Sequence, residues 1–470
     1  MILGIDLGTT NTCISIYKDN KATIIPIDSN PTIQSIVSFN DKTEYIIGRT
    51  SKDYPYSIQH IKRIMGKQYK DLDIKNDTTL PRFIINHNNK PYIKINDTMF
   101  SPEQISSFIL QFVKQKCEET LKEPISKCVI TVPAYFNNTQ RKATHQACCL
   151  AGLEVIRMIN EPTSASLAYY MSLQKDETIL VYDMGGGTLD VSLLEMEDDV
   201  IDVVATSGDT HLGGTDIDNM IMSYILSQTT FKMGFEPLKE CCQIKHQLNQ
   251  KKYVATKCTH KTIIFTKKKF CKLMNSKLMT RMKQPIQKVL HDSNKSNIDI
   301  DSVVFIGGST KNDFIKQEIM TLFPTSKRYD DIDPDVTVAM GASIQSNLIK
   351  DKTNQCLLLD VTPFSLGVNG SKGEMIRLIN RNETLPISVT KTFMTTQDDQ
   401  TQIDIQVFQG EHYYTSDCQY LGEFSLYNIK KEKKNKTQID ITFNLDVNGV
   451  LHIIAHECNT KNTSKLLLQM

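Results

Sequence analysis

Two short segments of the sequence share a pattern that suits phosphate binding. Asp6 precedes the turn Gly8-Thr9-Thr10-Asn11, and Asp183 precedes Gly185-Gly186-Gly187-Thr188. Each turn follows an apolar run and can point successive backbone N–H groups at an anion. Each aspartate could offer oxygen to a phosphate-bound Mg²⁺. A single aspartate of this kind usually caps a turn, but two matching turns predict a clamp that holds a polyphosphate from both sides.

The residues around these turns predict the elements that must position them. Apolar runs at 2–5 and 178–182 are typical of strands, and β patterns resume at Cys13 and Val191. Both segments are therefore strand–turn–strand units, and the duplication predicts two similar lobes that face each other. A third junction, strand then Gly307-Gly308 then helix, follows downstream.

Helical and β patterns divide the chain near residue 354. Ser101-Pro102-Glu103-Gln104 predicts a helix start through an N-cap, a first-turn proline and a capping box. After the apolar run 357–359, strict alternation at 403–408 and 439–445 predicts antiparallel strands, with a two-residue hairpin turn at Asn448-Gly449. The basic run 430–436 is expected to be a solvated loop and not a nucleic-acid site.

Composition excludes several classes of protein. The chain has 470 residues, 54 Lys and Arg against 53 Asp and Glu, and a net charge of +1, which disfavours a nucleic-acid binder. The N-terminus lacks a leader pattern, and no run of about 18 apolar residues suggests a membrane span. Twelve cysteines without a C-x-x-C are expected to be reduced and to act as small hydrophobes. The sequence therefore predicts a soluble, cytoplasmic protein without nucleic-acid or membrane partners.

Nine segments closely resemble the seventy-kilodalton heat-shock (DnaK-type) chaperones, in that family's order and over essentially the whole chain. They are IDLGTTNT (5–12), IKRIMG (61–66), ITVPAYFNNTQRKAT (130–144), AGLEVIRMINEPTSASLAY (151–169), VYDMGGGTLDVS (181–192), SGDTHLGGTDIDN (207–219), IGGSTK (306–311), LLLDVTPFSLGV (357–368) and VFQGE (407–411).

The resemblance implies an α/β actin-like two-lobed ATPase domain over 1–353, an interdomain linker over 354–361 and an all-β peptide-binding sandwich over 362–470. The family's helical lid has no counterpart in the sequence, so a form without a lid is expected. The resemblance further implies ATP or ADP with Mg²⁺, and K⁺ as a second candidate cation. The implied partners are unfolded or extended polypeptide clients, J-domain cochaperones and nucleotide exchange factors. The resemblance also implies a monomer that acts in protein folding and the stress response.

The resemblance also assigns roles to residues of the nucleotide site. Lys62, Glu161, Asp190 and Thr188 are the expected catalytic residues, and Asp6 and Asp183 are expected to hold Mg²⁺ through water. In-line attack by water needs cationic charge at the transferring phosphoryl group and a group that orients the water. Lys62 and Mg²⁺ are expected to supply the charge, and Glu161 and Asp190 are expected to orient the water. Residues expected to contact the nucleotide are the two turns 8–11 and 185–188 together with Gly213, Gly214, Cys242, Lys245, His246, Asn249, Gly307, Gly308, Ser309, Lys311 and Asp335.

The adenosine end departs from the family pattern. Cys242 stands where a carboxylate usually holds the ribose, and Lys311 stands where an arginine stacks on adenine. Arginine presents a planar face and lysine a point charge, so the second exchange is not conservative. The segment 231–265 is also shorter than usual, which trims the lobe that closes over adenosine.

Residues that transmit nucleotide state and bind peptide in the family have counterparts here. Pro133 and Arg141 match the signalling residues, and Leu357, Leu358, Leu359 and Asp360 match the linker, although three leucines are also typical of a buried strand. The expected groove residues are Val368, Phe393, Ile403 and Ile405, where an extended peptide would gain backbone hydrogen bonds and an aliphatic pocket. The arch over the peptide is expected to be small and polar because it carries Ser371 and Thr396.

Three functions remain open from the sequence. The first is an ATP-driven peptide-binding chaperone without a lid, and the second is a nucleotide-gated regulator with weak or no refolding activity. The third is a small-molecule kinase or filament built on the actin-like fold. The linker and the β-domain argue against the third, since neither has a role there.

Overall fold

The computed structural model describes residues 1–74, 77, 80–173, 176–228, 237–258, 261–329, 332–351, 356–458 and 463–467. Three predictions fall partly outside these residues. They concern 231–236 and 259–260 of the shortened segment, 354–355 of the linker, and 459–462 and 468–470 of the sandwich.

The first lobe is built on a sheet with strand order β12-β11-β1-β2-β3, in which β4 also pairs with β2. Its strands are β1 (Ile2–Leu7), β2 (Asn11–Lys18), β3 (Lys21–Ile24), β4 (Thr32–Gln34), β5 (Val37–Phe39), β6 (Tyr45–Ile47), β7 (Tyr56–Ile58), β8 (Ile84–His87), β9 (Lys90–Ile95), β10 (Thr98–Phe100), β11 (Lys127–Val132) and β12 (Glu154–Asn160). Its helices are α1 (Pro102–Leu121), α2 (Asn138–Leu150) and α3 (Glu161–Leu173). Helix α1 begins as predicted, because Ser101 and Gln104 form a complete capping box.

The second lobe repeats the central motif in a sheet with strand order β19-β18-β13-β14-β15-β20-β23. Its strands are β13 (Glu177–Met184), β14 (Leu189–Glu197), β15 (Val200–Asp209), β16 (Tyr253–Cys258), β17 (Lys261–Thr266), β18 (Ser302–Ile306) and β19 (Lys327–Tyr329). Its helices are α4 (Gly214–Ser227), α5 (Pro237–Gln250), α6 (Lys267–Lys277), α7 (Met279–Asp292), α8 (Asp313–Met320) and α9 (Thr337–Lys350).

The two lobes correspond strand for strand at their centres. In each, an antiparallel hairpin, β1–β2 or β13–β14, is flanked by a parallel strand, β11 or β18. Separate apolar clusters fill the two lobes. Helix α9 runs back from the second lobe and packs on β1 and β2 of the first. The duplicated sequence motif therefore forms a duplicated structural unit.

The remaining described residues form two packed antiparallel sheets, β22-β21-β25-β26 and β24-β27-β28-β29, around one apolar cluster. The strands of these two sheets are β21 (Leu366–Asn369), β22 (Met375–Ile379), β24 (Ile387–Met394), β25 (Gln402–Gln409), β26 (Gln419–Tyr427), β27 (Gln438–Leu445), β28 (Leu451–Glu457) and β29 (Thr463–Leu467). Two further strands, β20 (Leu357–Val361) and β23 (Thr384–Leu385), pair with each other and continue the sheet of the second lobe. Between 356 and 467, the described residues contain no α-helix.

The turn between β27 and β28 differs from the prediction of a two-residue turn, which is wrong. The strands end at Leu445 and resume at Leu451, so five residues connect them. The longer loop forms because Asp446 Oδ1 accepts the N–H groups of Asn448 and Val450.

None of the helices in the described part of the chain combines the length and apolar composition that a membrane crossing requires.

Candidate functional site

The two glycine-rich turns touch each other across the cleft between the lobes. A Cβ added to Gly186 would overlap Thr10 Oγ1, and one added to Gly187 would lie 2.9 Å from Thr9 Cγ2. Glycine is therefore required at both positions of the second turn. Among the described residues, the backbone N–H groups of Thr9, Thr10, Gly186 and Gly187 donate to no protein acceptor. Both turns thus offer N–H donors of the kind that a phosphate chain needs.

Two further glycine pairs pack against the second turn. The N–H of Gly214 donates to Gly185 O (3.0 Å), and a Cβ on Gly213 would lie 2.5 Å from Gly187 N. From the third junction, Ser309 Oγ donates to Gly185 O (2.7 Å). Gly307, at φ +79°, allows the chain to pass Asp183. The predicted residues Gly213, Gly214, Gly307, Gly308 and Ser309 therefore converge on one turn.

Lys62 and Glu161 form a buried ion pair at the base of the cleft. Lys62 Nζ donates to Glu161 Oε1 at 2.7 Å, and the two side chains are 5 % and 11 % exposed. Lys62 lies on the short 3₁₀ turn Ile61–Arg63, and Glu161 opens α3 directly after strand β12. A lysine in IKRIMG would ordinarily be placed on the surface, so its burial here identifies it as part of the site.

Three aspartates surround this pair. Burial, and next the charge of Glu161, raise the pKa of Asp6 and of Asp190 to about 7 and raise the pKa of Asp183 well above its ordinary value. Asp190 Oδ1 accepts the N–H of Tyr135 (3.1 Å), and Thr131 Oγ1 donates to Asp6 Oδ1 (3.4 Å). Among the described residues, the buried Asp183 Oδ2 has no hydrogen-bond partner.

This excess of carboxylates suits a bound cation. The protein itself supplies no ready-made metal cage, since no group of three His, Cys, Asp or Glu in the described chain has metal-binding geometry. A hard divalent cation would complete its shell with phosphate oxygens and waters, as Mg²⁺ commonly does. The unpaired Oδ2 of Asp183 is therefore suited to accept a hydrogen bond from a water bound to such a cation.

Sequence reasoning missed Arg63, which follows Lys62. Its Nη2 donates to Gly187 O (3.2 Å) and pairs with Asp216 of α4 (3.2 Å), so it links the first lobe to the second turn. The only signal for it was its position beside Lys62 in the 3₁₀ turn.

Of the residues predicted to contact adenosine, Lys245 contacts Gly214, and Asn249 contacts Lys311. Lys245 is buried, pairs with Asp218 (2.9 Å) and donates to Gly214 O (2.9 Å). Asn249 Nδ2 donates to Lys311 O (3.2 Å). Half-buried Cys242 and exposed His246 lie on the same helix, α5.

Lys311 is held by two carboxylates. Its Nζ lies 2.8 Å from Asp333 and 2.6 Å from Asp335, and the side chain is 40 % exposed. A charge held edge-on by two aspartates cannot cover a base as a planar guanidinium can.

Residues 357–361 form a strand that pairs with a neighbour on each side, instead of an open tether. Strand β20 pairs in parallel with β15 through Leu357, Leu358 and Leu359, and then antiparallel with β23 of the sandwich. Leu357 stays 52 % exposed, whereas Asp360 is buried. The segment thus joins the second lobe's sheet to the sandwich by backbone hydrogen bonds.

Asp360 and Arg141 meet beside Asn160. Asn160 Nδ2 donates to Asp360 Oδ1 (2.8 Å), and Arg141 Nη2 donates to Asn160 Oδ1 (2.5 Å). Burial raises the pKa of Asp360, and the charge of Arg141 opposes that rise. Because Asn160 precedes Glu161, this network lies one residue from the Lys62–Glu161 ion pair. Buried Pro133 ends β11, the strand that follows α1 and lies beside β12.

Sandwich loops contact both lobes directly. The ring of Phe364 lies 4.3 Å from that of Tyr135, whose N–H binds Asp190. Asn448 Oδ1 accepts the N–H of Met158 (3.0 Å), and Arg381 pairs with Asp292. These polar loop contacts carried no sequence signal.

The predicted groove residues separate by depth. Val368 and Ile405 are each 3 % exposed and belong to the sandwich core, and Phe393 and Ile403 are half-buried beside it. Ser371 and Thr396 are exposed. Phe393 and Ile403 are therefore the apolar side chains that a ligand could reach.

Fold and site together define a class: a two-lobed α/β nucleotide-binding protein of the actin-like type with an attached β-sandwich. The family model described as Hsp70 protein matches residues 2–470. The chain therefore belongs to the Hsp70 family. This confirms the resemblance predicted from the sequence, and the fold fits the predicted two-lobed ATPase and β-sandwich. Family membership supports a chaperone-type function, with ATP or ADP and Mg²⁺ as the family's nucleotide and cation.

Proposed function

We propose that this chain hydrolyses ATP with Mg²⁺ and couples the reaction to the binding of extended apolar polypeptide segments. The observation that carries the proposal is the contact of the two glycine-rich turns over the buried Lys62–Glu161 pair. Donors for a phosphate chain lie on both sides of the cleft, and cationic charge lies at its base.

Each residue then has a defined task. The N–H groups of the two turns bind phosphate oxygens, and Lys62 places positive charge where the transferring phosphoryl group develops negative charge. Glu161 and Asp190 accept hydrogen bonds from the attacking water and orient it. Mg²⁺, when bound, neutralises charge on the phosphates, and Asp6 and Asp183 would hold it through water.

The coupling route runs through polar and backbone contacts. Strand β20 is part of both the second lobe's sheet and the link to the sandwich, and we propose that nucleotide biases an equilibrium between its docked and released states. Asp360, Asn160 and Arg141 connect this strand to Glu161. We propose the predicted boundaries 1–353, 354–361 and 362–470 for the three functional parts.

Family membership supports the remaining features of the proposal. We infer a cytoplasmic monomer whose clients are unfolded polypeptides and whose cochaperones are J-domain proteins and nucleotide exchange factors. Phe393 and Ile403 are the proposed contacts for an aliphatic side chain of the client.

One observation favours a second function, that of a nucleotide-gated regulator without refolding activity. Lys311 is held by Asp333 and Asp335, and Cys242 replaces a carboxylate at the ribose position. Weak nucleotide binding would suit a regulator that responds to nucleotide concentration.

Single-turnover hydrolysis of ATP tests the proposal. We expect Mg²⁺-dependent release of phosphate by the wild-type chain, a loss of ~10²–10³-fold in Lys62→Met, and no loss in the control Lys70→Met, whose side chain is exposed in the same region. Absence of hydrolysis in the wild type, with nucleotide binding intact, would favour the regulator.

A further inference from the structure

The connection between β26 and β27 carries an unusual concentration of lysine. Residues 430–436, which we name the lysine loop, read KKEKKNK. All five of its lysines are exposed, and within the described chain only Lys430 has an ion-pair partner, Glu432 at 2.6 Å. The loop therefore presents a net charge of +4, five lysines against one glutamate.

This loop is fixed against the segment between β24 and β25, residues 395–401, which we name the arch loop. Two backbone hydrogen bonds join the loops, Asp399 N to Glu432 O (2.9 Å) and Asn435 N to Thr395 O (3.0 Å), and Ile429, just before the lysine loop, donates its N–H to Thr401 O (3.1 Å). A three-point attachment holds the lysines in one place relative to the sandwich.

The arch loop borders the proposed groove. Phe393 lies two residues before Thr395, and Ile403 lies two residues after Thr401. These are the two half-buried side chains among the predicted groove residues. The lysine loop therefore stands at the rim of the groove.

Acidic groups of the rim do not cancel this charge. Asp398 and Asp399 of the arch loop reduce the net charge of the two loops together from +4 to +2. Asp398 Oδ1 is already engaged, because it accepts the N–H of Lys434 (2.8 Å). Lys431 and Lys433 form no ion pair with a carboxylate of the described residues.

We propose that the lysine loop selects clients whose apolar segment is flanked by acidic residues. The proposal rests on the proposed binding of extended peptides. An extended chain advances ~3.3 Å per residue, so side chains two or three positions beyond the apolar contact lie ~7–10 Å from it. A flanking charge there still interacts with any lysine that it approaches to within the Debye length, which is about 10 Å at 0.1 M salt. Complementary charge there raises the rate of encounter and selects partners.

The test compares two labelled peptides with the same leucine-rich core, one flanked by glutamates and the other by lysines, binding to the full chain by fluorescence anisotropy. We expect the acidic peptide to bind about 5-fold tighter in low salt, with a ratio near 1 in 0.5 M salt. The triple variant Lys431→Gln, Lys433→Gln, Lys434→Gln should lose the preference. The matched control Lys268→Gln, Lys272→Gln, Lys277→Gln removes three exposed charges from α6 and should keep it.

The outcomes separate this inference from the function on which it rests. Equal binding of the two peptides, or tighter binding of the basic one, overturns the charge preference and leaves peptide binding intact. Binding of neither peptide overturns both. A glutamate peptide without the apolar core, or a DNA oligonucleotide, that binds as tightly as the acidic client peptide would make the loop a general polyanion site and would also overturn the proposal.

Discussion

Replacing Lys62 by methionine keeps most of the side-chain volume and removes the charge. Glu161 would then lie buried beside Asp6, Asp183 and Asp190 without its 2.7 Å partner. Breaking a buried ion pair from one side costs about 3–5 kcal/mol, because the remaining charge is left unpaired. For a domain of a few hundred residues, this corresponds to a fall of roughly 6–20 °C in the unfolding midpoint.

The double variant Lys62→Met, Glu161→Gln separates stability from catalysis. With both charges removed, the midpoint of the nucleotide-free protein should recover most of this loss, whereas hydrolysis should stay as low as in Lys62→Met. Circular dichroism is the suitable assay of unfolding, since the chain has no tryptophan. The rate of phosphate release in a single turnover measures ATP hydrolysis by each variant.

Two results would refute this reasoning. A Lys62→Met protein as stable as wild type would mean that the pair contributes no net stability and that Glu161 finds another partner. A double variant with restored hydrolysis would mean that the positive charge of Lys62 has no role at the phosphoryl group.

Three further predictions concern pH, nucleotide choice and peptide release. Because burial raises the pKa of Asp190 to about 7 in the fold, its ionisation destabilises the nucleotide-free protein increasingly as pH rises from about 4 to 7. Asp190→Asn should therefore stabilise it by about 2 kcal/mol more at pH 8 than at pH 5, and equal midpoint shifts at the two pH values would disprove this. In calorimetry, the affinity of the wild type for ATP should exceed its affinity for GTP by less than ~10-fold, and Lys311→Arg should increase this ratio several-fold. Tight, adenine-selective binding by the wild type would contradict this. Leucine-rich peptides should leave the wild type rapidly in stopped-flow release, and Ile403→Asp should weaken their binding while the exposed control Ile298→Asp does not; slow release would mean that another element closes the groove.

The sequence predicted those parts of the molecule in which residue type and backbone geometry are tightly linked. Gly186 and Gly187 stand where a Cβ would meet Thr10 and Thr9 of the first turn, and the capping box at Ser101 sets the start of α1. Alternation at 403–408 predicted strand β25, in which Ile405 and Val407 are buried and Asp404 is exposed, although Phe408 of the opposite face is buried as well. The resemblance to the family predicted that Lys62 belongs to the nucleotide site, whereas its local sequence alone would have assigned it to the surface.

Contacts between distant segments could not be predicted in the same way. Arg63 reaches Gly187 and Asp216 from another lobe, and Asn448 reaches Met158 from the sandwich. Such pairs depend on where two rigid bodies meet. Polar loop residues show no sequence periodicity from which that meeting point could be predicted. Pairing of Leu357 with Val200 likewise depends on an available sheet edge.

The coupling of hydrolysis to peptide binding is the central claim, and one measurement tests it most directly. Steady-state ATP hydrolysis is measured with and without a saturating leucine-rich peptide, in the wild type and in Arg141→Ala. We expect peptide to stimulate hydrolysis several-fold in the wild type and not at all in Arg141→Ala. The basal rates of the two proteins, measured without peptide, should differ by no more than a few-fold. An unchanged wild-type rate, at a peptide concentration where anisotropy shows the groove to be filled, would contradict it.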